Sequence, residues 1–244
     1  MFYNFGHLIL HPIIVEHILD NLVWNALNSG NKHLANGNET VKYFDKEVSP
    51  FVGLKETSDD NFQLLYDTIP FDGAFGFVTN DEVSIPAPWK IARHMKVLQM
   101  VFDKPLETIA TTDEIIALGE PNIPEMLTLT QLTNPGPFAD RTIDFGHYKG
   151  IFKDDKLIAM AGQRMNPYQY AEISAVCTHP DHLGKGYAKQ LLLDQIRRIQ
   201  GASGIPFLHV LATNTRAKDV YESLGFETRK EISIYIIQKD SAVS

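Results

Sequence analysis

The stretch "VCTHPDHLGKGYAKQLLLDQIRRIQ", residues 176–200, constrains the fold more than any other part of the chain. It begins as an apolar strand, crosses a loop with glycines at positions 184 and 186, and continues with the 3.6-residue apolar period of an amphipathic helix. Glycines let a ligand approach the backbone closely, and the first turn of a helix presents unpaired N–H groups at its positive end. A strand, a glycine loop and a helix N-terminus in this order predict a phosphate-binding site.

Three kinds of phosphate loop differ in their spacing. The nucleotide triphosphatase pattern G-x-x-x-x-G-K-[ST] does not occur in the chain. In the dinucleotide pattern G-x-G-x-x-G, Gly184 and Gly186 fit, but Lys189 stands at the third place. That pattern also belongs to repeated parallel strand–helix units, whereas a predicted hairpin leads into this loop. A nicotinamide-dependent oxidoreductase is therefore a weaker alternative.

The third kind of loop is that of the GNAT superfamily of acyl-coenzyme A dependent N-acyltransferases, which residues 105 to 244 resemble. The family pattern [QR]-x-x-G-x-[GA] is similar to "LGKGYA", with matches at Gly186 and Ala188 and with Leu183 in place of the polar first residue. A later motif, "NTRAKDVYESLGF", also resembles the family. Its matching residues are Asn214, Ala217, Tyr221, Leu224, Gly225 and Phe226. Two motifs in the family order are far more specific than one.

The resemblance implies that acetyl-CoA binds along the end of the strand, the glycine loop and the later helix. It assigns to this site Val176, Cys177, Thr178, Leu183, Gly184, Lys185, Gly186, Tyr187, Ala188, Lys189, Asn214, Ala217 and Tyr221. The strand is expected to diverge from its neighbour, so that its backbone pairs with the pantetheine arm and an N–H near Val176 polarises the thioester carbonyl. The polar side chain missing at Leu183 leaves the diphosphate to backbone N–H groups.

Two residues are candidates for proton transfer. Tyr221 is placed by the resemblance as the general acid for the departing thiolate, and the alternative is a core tyrosine. Glu172, four residues before Val176 on an alternating strand, is expected to share its face. It could be the base that deprotonates the amine, or it could be paired with a nearby Lys or Arg, and the sequence leaves both open. His147 and Tyr170 are lesser alternatives for the base.

Other reactive side chains have simpler interpretations. Cys177 in an apolar strand is more typical of packing than of a nucleophile, which favours direct transfer to the amine. His179 and His182 have a spacing that can bind a metal, but no third ligand is evident, so we expect no metal. Asp140 and Asp144 could attract a cationic amine, although surface acidity is the commoner explanation.

The order of elements predicts an α/β (α+β) fold. From residue 104 onward the patterns predict strand, helix, three strands, helix, strand, helix and strand, a mixed and largely antiparallel sheet flanked by helices. A capping box at Asn122 and Glu125 is expected to start the first of these helices. A polar stretch at 102 to 114 separates this domain, 104–244, from an N-terminal lobe, 1–103. The lobe is predicted to be helical or α+β, resembles the degenerate front half of some two-lobed GNAT members, and is expected to wall the acceptor side.

Composition limits the classes of partner that the chain is expected to bind. The net charge of -8, with no basic run, argues against nucleic acid. The apolar N-terminus is interrupted by charged and histidine residues. Its apolar positions at Ile14, Ile18, Leu22 and Ala26 predict a buried helix and no membrane span. The single cysteine suits a reducing compartment such as the cytoplasm. The expected partner is a small-molecule or peptide amine, with an acyl-CoA binding or sensor protein as the non-enzymatic alternative.

Overall fold

The computed structural model describes residues 16–106 and 113–240. In these residues, eleven strands form one continuous sheet, flanked by five α-helices. The strands are β1 (Ala35–Gly37), β2 (Val41–Phe44), β3 (Phe51–Leu54), β4 (Ala74–Thr79), β5 (Trp89–Val101), β6 (Ile116–Ala117), β7 (Lys149–Lys153), β8 (Lys156–Gln163), β9 (Tyr170–Thr178), β10 (Ile205–Leu211) and β11 (Glu227–Lys239). The helices are α1 (Leu22–Leu27), α2 (Asp59–Thr68), α3 (Ile123–Thr133), α4 (Tyr187–Gly201) and α5 (Thr215–Leu224).

The sheet interleaves the two halves of the sequence. Its strand order is β1-β2-β3-β4-β11-β5-β10-β9-β8-β7-β6. The thirteen-residue β5, from the first half, lies between β10 and β11 of the second half and is antiparallel to both. Only two neighbouring pairs are parallel, β3 with β4 and β9 with β10. The mixed, largely antiparallel sheet is therefore confirmed, while the division at residues 103 and 104 stays a prediction.

The first hundred residues contain more strand than their sequence suggests. The predicted N-terminal helix is confined to a 3-10 turn at Ile18–Asn21 and the six-residue α1, and Ile14 lies outside the described residues. Of the two predicted possibilities, helical or α+β, the described part of the lobe is α+β, since residues 35–54 include β1, β2 and β3. These strands are only three or four residues long, too short to show a clear period of two. No helix among the described residues is long and apolar enough to cross a bilayer.

The second half follows its predicted order closely. The hairpin of β7 and β8 turns at Asp154 and Asp155, both with positive φ, and β9 follows as the third antiparallel strand. The predicted capping box is wrong, because the side chain of Asn122 accepts a hydrogen bond from the N–H of Gly119 at 3.0 Å and does not cap α3. The last predicted strand is a long one, formed by residues 227–239.

Two large clusters of apolar side chains lie on opposite faces of the sheet around β9. We call the face covered by α4 and α5 the helix face; its cluster includes Ile173, Leu192 and Leu208. We call the opposite face the inner face; there Cys177 and Phe207 pack with residues of α1 and α3. The N-terminal half is thus packed directly against the inner face of the sheet that carries the motifs.

Candidate functional site

Strands β9 and β10 pair over only three residues and then separate. The paired positions are Tyr170 with Ile205, Ala171 with Pro206, and Glu172 with Phe207. No further pairing joins these two strands, although β9 continues to Thr178 and β10 to Leu211. The predicted divergence of β9 from its neighbour is therefore confirmed. We call the space between residues 173–178 and 208–211 the β9–β10 gap; it leaves one backbone edge of β9 available to a ligand.

A bulge lies on β9 at the middle of this gap. Between the pairs Met160–Cys177 and Gly162–Ser174, two residues of β9, Ala175 and Val176, oppose one residue of β8. Ala175 has a φ of +53°, an uncommon conformation for a residue with a side chain. The bulge re-aims the backbone at Val176, near which the family resemblance places the N–H expected to polarise the thioester carbonyl.

The bulge also changes which side chains share a face. Ile173 and Val176 both pack in the helix-face cluster although they are three residues apart. Without the extra residue, Glu172 and Val176 would lie on one face, as the alternating pattern predicted. That prediction is wrong, because the bulge shifts the alternation by one residue and places Glu172 on the face opposite Val176.

The glycine loop is exposed and ends directly at the N-terminus of α4. Gly184 and Gly186 have φ values of +76° and +80°, and a Cβ at either would meet no atom within 4 Å. Glycine is thus required by the backbone conformation and not by lack of space. Gly186 is the N-cap of α4 and has no side chain to cap the first-turn N–H groups. Within the described part of the chain, the backbone N–H groups of residues 187–189 have no hydrogen-bond acceptor.

Side chains of the loop are arranged around this backbone. Tyr187 is buried in a separate apolar cluster with residues of β7 and β8, and this packing anchors the start of α4. Lys185 and Lys189 are exposed, as is Leu183 at 46%. The loop therefore offers backbone donors, a helix dipole and two exposed positive charges to an anion.

Helix α5 brings Tyr221 to the helix face. Asn214 caps this helix by accepting a hydrogen bond from the N–H of Ala217 at 3.2 Å, and Gly225 ends it with a φ of +107°. Tyr221 is partly buried and packs against the same cluster as Val176. Burial raises the pKa of Tyr221 to about 12. The phenol carries its proton at neutral pH and is available to donate it.

Glu172 is held in a buried ion pair. Its two carboxylate oxygens accept hydrogen bonds from Arg164 at 2.6 and 3.0 Å, and Oε1 also accepts one from Nδ1 of His209 at 2.8 Å. The carboxylate is 1% exposed. Burial alone would raise the pKa of Glu172, but the Arg164 charge and the His209 hydrogen bond outweigh it and hold the pKa at about 2. Of the two interpretations that the sequence left open, these contacts favour the ion pair.

The lesser candidates for the base lie outside the gap. Tyr170 precedes the last paired residues of β9, and its hydroxyl is 3.1 Å from Nε2 of His17. His147 precedes β7 and its ring contacts Arg198 in α4; burial and that guanidinium lower the pKa of His147. Neither side chain is therefore placed to meet a substrate held along the free edge of β9.

The remaining candidates are also located. Burial raises the pKa of the Cys177 thiol to about 11, which keeps it protonated. The rings of His179 and His182 lie 5.8 Å apart, and the part of the chain described here contains no group of three or more side chains able to hold a metal. Asp144 accepts two hydrogen bonds from Arg141, which occupies its carboxylate, while Asp140 is exposed.

Sequence reasoning missed the partners of Glu172. His209 lies on β10 and Arg164 directly follows β8, each next to apolar residues. The available signal was a charged or polar side chain within an otherwise apolar run, which indicates a buried polar contact but not its partner.

The comparisons with known proteins agree with this geometry. Residues 148–234 match the family described as FR47-like protein. A solved structure from Novosphingobium aromaticivorans, whose description places it in the GNAT family, is 32% identical with a TM-score of 0.85, and the match covers 93% of this chain and 100% of that one. A GCN5-related N-acetyltransferase from Kribbella flavida is 12% identical with a TM-score of 0.59, over 88% and 94% of the two chains. The second likeness shows the fold alone. No protein of curated function matches the sequence.

Proposed function

This chain belongs to the GNAT family, and on that basis we propose that it transfers an acetyl group from acetyl-CoA to an amine. One observation carries the proposal: the free edge of β9 leads directly into the glycine loop and the uncapped N-terminus of α4. A thioester arm that pairs with the edge and a diphosphate that meets the loop require these two features in this order. No other part of the described chain combines them.

The residues of the loop fit the anionic end of acetyl-CoA. Backbone N–H groups from Gly184 to Lys189 would hold the diphosphate, with the positive end of the α4 dipole behind them. Lys185 and Lys189 add charge that salt screens, because both are exposed. Leu183 contributes no hydrogen bond, so that the affinity depends on the main chain. The backbone of Val176, Cys177 and Thr178 would line the arm.

The chemistry of transfer assigns one proton to Tyr221. Acetyl-CoA supplies a thioester that a neutral amine can attack; the C–N bond forms and the C–S bond breaks. Tyr221 would donate its phenolic proton as the sulfur departs, and the N–H near Val176 would stabilise negative charge on the carbonyl oxygen. The thiol of Cys177 takes no part in the transfer, since a protonated thiol in the core is a poor nucleophile.

We propose that Glu172 acts as a positioning residue and not as the base. Among the described residues, the carboxylate of Glu172 accepts hydrogen bonds from Arg164 and His209, and a carboxylate with a pKa of about 2 has little tendency to take a proton at neutral pH. The proton of the acceptor amine would leave through water in the gap, or the amine would bind already neutral. The acceptor is a small-molecule or peptide amine, which reaches the gap from the side walled by the N-terminal half.

The test is Tyr221→Phe, with Tyr168→Phe as the matched control because Tyr168 is 59% exposed on the surface. Calorimetry with coenzyme A measures binding, and thiol release in a panel of amines measures turnover. We expect Tyr221→Phe to lower kcat by about 10²- to 10⁴-fold with the Kd for coenzyme A unchanged, the usual contribution of a general acid. Unchanged turnover would remove Tyr221 from the mechanism.

The same experiment distinguishes a transferase from a non-catalytic acyl-CoA sensor. Leu183 in the place of a polar residue is the observation that favours a non-catalytic acyl-CoA sensor. Tight binding of coenzyme A with no thiol release in any amine would support the sensor. Absence of binding to the folded wild-type chain would refute both.

A further inference from the structure

A chain of buried polar side chains crosses the sheet at the point where β9 and β10 separate. Arg164 donates to Glu172, and His209 contacts Glu172 on one side and Gln99 on the other, with Nε2 of His209 3.1 Å from Nε2 of Gln99. The side chains of Glu172 and Gln99 are fully buried, and that of His209 is nearly so. Buried polar groups of this kind are retained only where their hydrogen bonds are satisfied.

From Gln99, in β5 of the N-terminal half, the contacts continue through Arg229 of β11 to Asp20 near the start of the described residues. Nε of Arg229 donates to Oε1 of Gln99 at 2.6 Å, and the same guanidinium pairs with Asp20. This contact fixes the orientation of the Gln99 amide, because its oxygen must face Arg229 and its nitrogen must face His209. Nε2 of His209 is then an acceptor and Nδ1 carries the proton that is donated to Glu172. Every link therefore has a defined donor and acceptor.

The link between His209 and Glu172 lies at the start of the gap. Glu172 is opposite Phe207 in the last backbone pair of β9 and β10, and His209 is two residues further along β10. The two strands have no backbone pairing beyond that position. The 2.8 Å contact between Nδ1 and Oε1 is thus a side-chain bridge across the first step of the separation.

We propose that His209 is a positioning residue that fixes the separation of β9 from β10, and that the relay through Gln99 and Arg229 ties this separation to Asp20 of the N-terminal half. The inference rests on the proposed function, because the gap so fixed is the one assigned to the thioester arm. His209 touches no reacting atom; it acts through β9.

Two substitutions at His209 test its contact with Glu172 and its contact with Gln99 separately. His209→Asn places an amide nitrogen where Nδ1 was, so it keeps the donor to Glu172 and loses Gln99. His209→Gln places an amide oxygen where Nε2 was, so it keeps Gln99 and loses Glu172. Calorimetry on the full chain with coenzyme A alone is expected to show His209→Asn within about twofold of wild type and His209→Gln weakened about tenfold, which is ~1.4 kcal/mol.

Two further measurements keep the result interpretable. Ser233→Ala removes a buried contact to His94 on the same sheet, away from the gap, and is expected to leave the Kd unchanged whatever it does to Tm. Glu172→Asp keeps the charge beside Arg164 but shortens the reach to His209, and it serves as the second variant if His209→Gln does not fold. It is expected to weaken binding in the same direction.

Hydrogen exchange separates this inference from the proposed function. Amides of residues 173–178 are expected to exchange faster in His209→Gln than in wild type or His209→Asn, without any ligand. Equal exchange and equal Kd in all three proteins would overturn the positioning role. A wild-type chain that does not bind coenzyme A, with faster exchange in His209→Gln, would overturn the proposed function and leave the bridge in place.

Discussion

Removing the charge of Glu172 is expected to cost the fold about 3 kcal/mol. The folded pKa of about 2 compares with 4.5 for the ordinary group, and this difference corresponds to about 3 kcal/mol at pH 7. Breaking one partner of a buried pair costs about 3 to 5 kcal/mol, because the other charge is left without compensation. Here that charge is Arg164, whose side chain is 13% exposed. The two routes agree on the size of the effect of Glu172→Gln.

The lowered pKa also predicts how the stabilising effect of Glu172 changes with pH. Because folding lowers the pKa of Glu172, its contribution is complete above the unfolded value of 4.5 and is lost as the pH falls through about 2. About 40% of it should remain at pH 3. Urea unfolding of wild type and Glu172→Gln at pH 7 and pH 3 measures both numbers. Glu82→Gln is the control, since it breaks an exposed 2.8 Å pair with Lys96 and should change nothing measurable. A loss under ~1 kcal/mol for Glu172→Gln at pH 7, or one that does not shrink at pH 3, would refute the account.

Two further predictions concern the loop and the sheet. Gly186→Ala makes the left-handed conformation of the loop cost about 1 to 2 kcal/mol. The free loop is then expected to relax to a negative φ, and restoring the binding conformation should weaken coenzyme A binding about tenfold in calorimetry. Gly201→Ala, with open space and no left-handed φ, should bind as wild type, and equal binding by both would exclude the loop as the phosphate site. A chain of residues 104–244 lacks β5 and leaves β10 and β11 without their shared neighbour, so far-UV circular dichroism should show it unfolded; a cooperative folded transition would contradict this.

The sequence predicts the site best where the structure is local. The glycine loop, α4 and α5 follow from spacings within one stretch, because caps, positive-φ glycines and the helical period act over a few residues. The hairpin of β7 and β8 is equally local. These elements carry most of the candidate site.

What the sequence could not predict depends on distant partners. Nothing local in β5 indicates that it lies between two strands from the other half, since the pairing of strands is decided by tertiary packing. The bulge at Ala175 shows only as a mismatch in register with β8, which one strand alone does not reveal. The ion pair of Glu172 required Arg164 and His209 to be brought together from different strands.

The interleaved sheet also determines when the chain can fold during synthesis. Strand β5 is complete at Val101, but its neighbour β10 does not emerge until roughly a hundred more residues have been made, which takes about 5 to 20 s. Through that interval a thirteen-residue strand with apolar side chains has neither of its final neighbours. Exposed strand edges of this kind can pair with other chains, so the nascent protein is open to aggregation until β10 and β11 have been made.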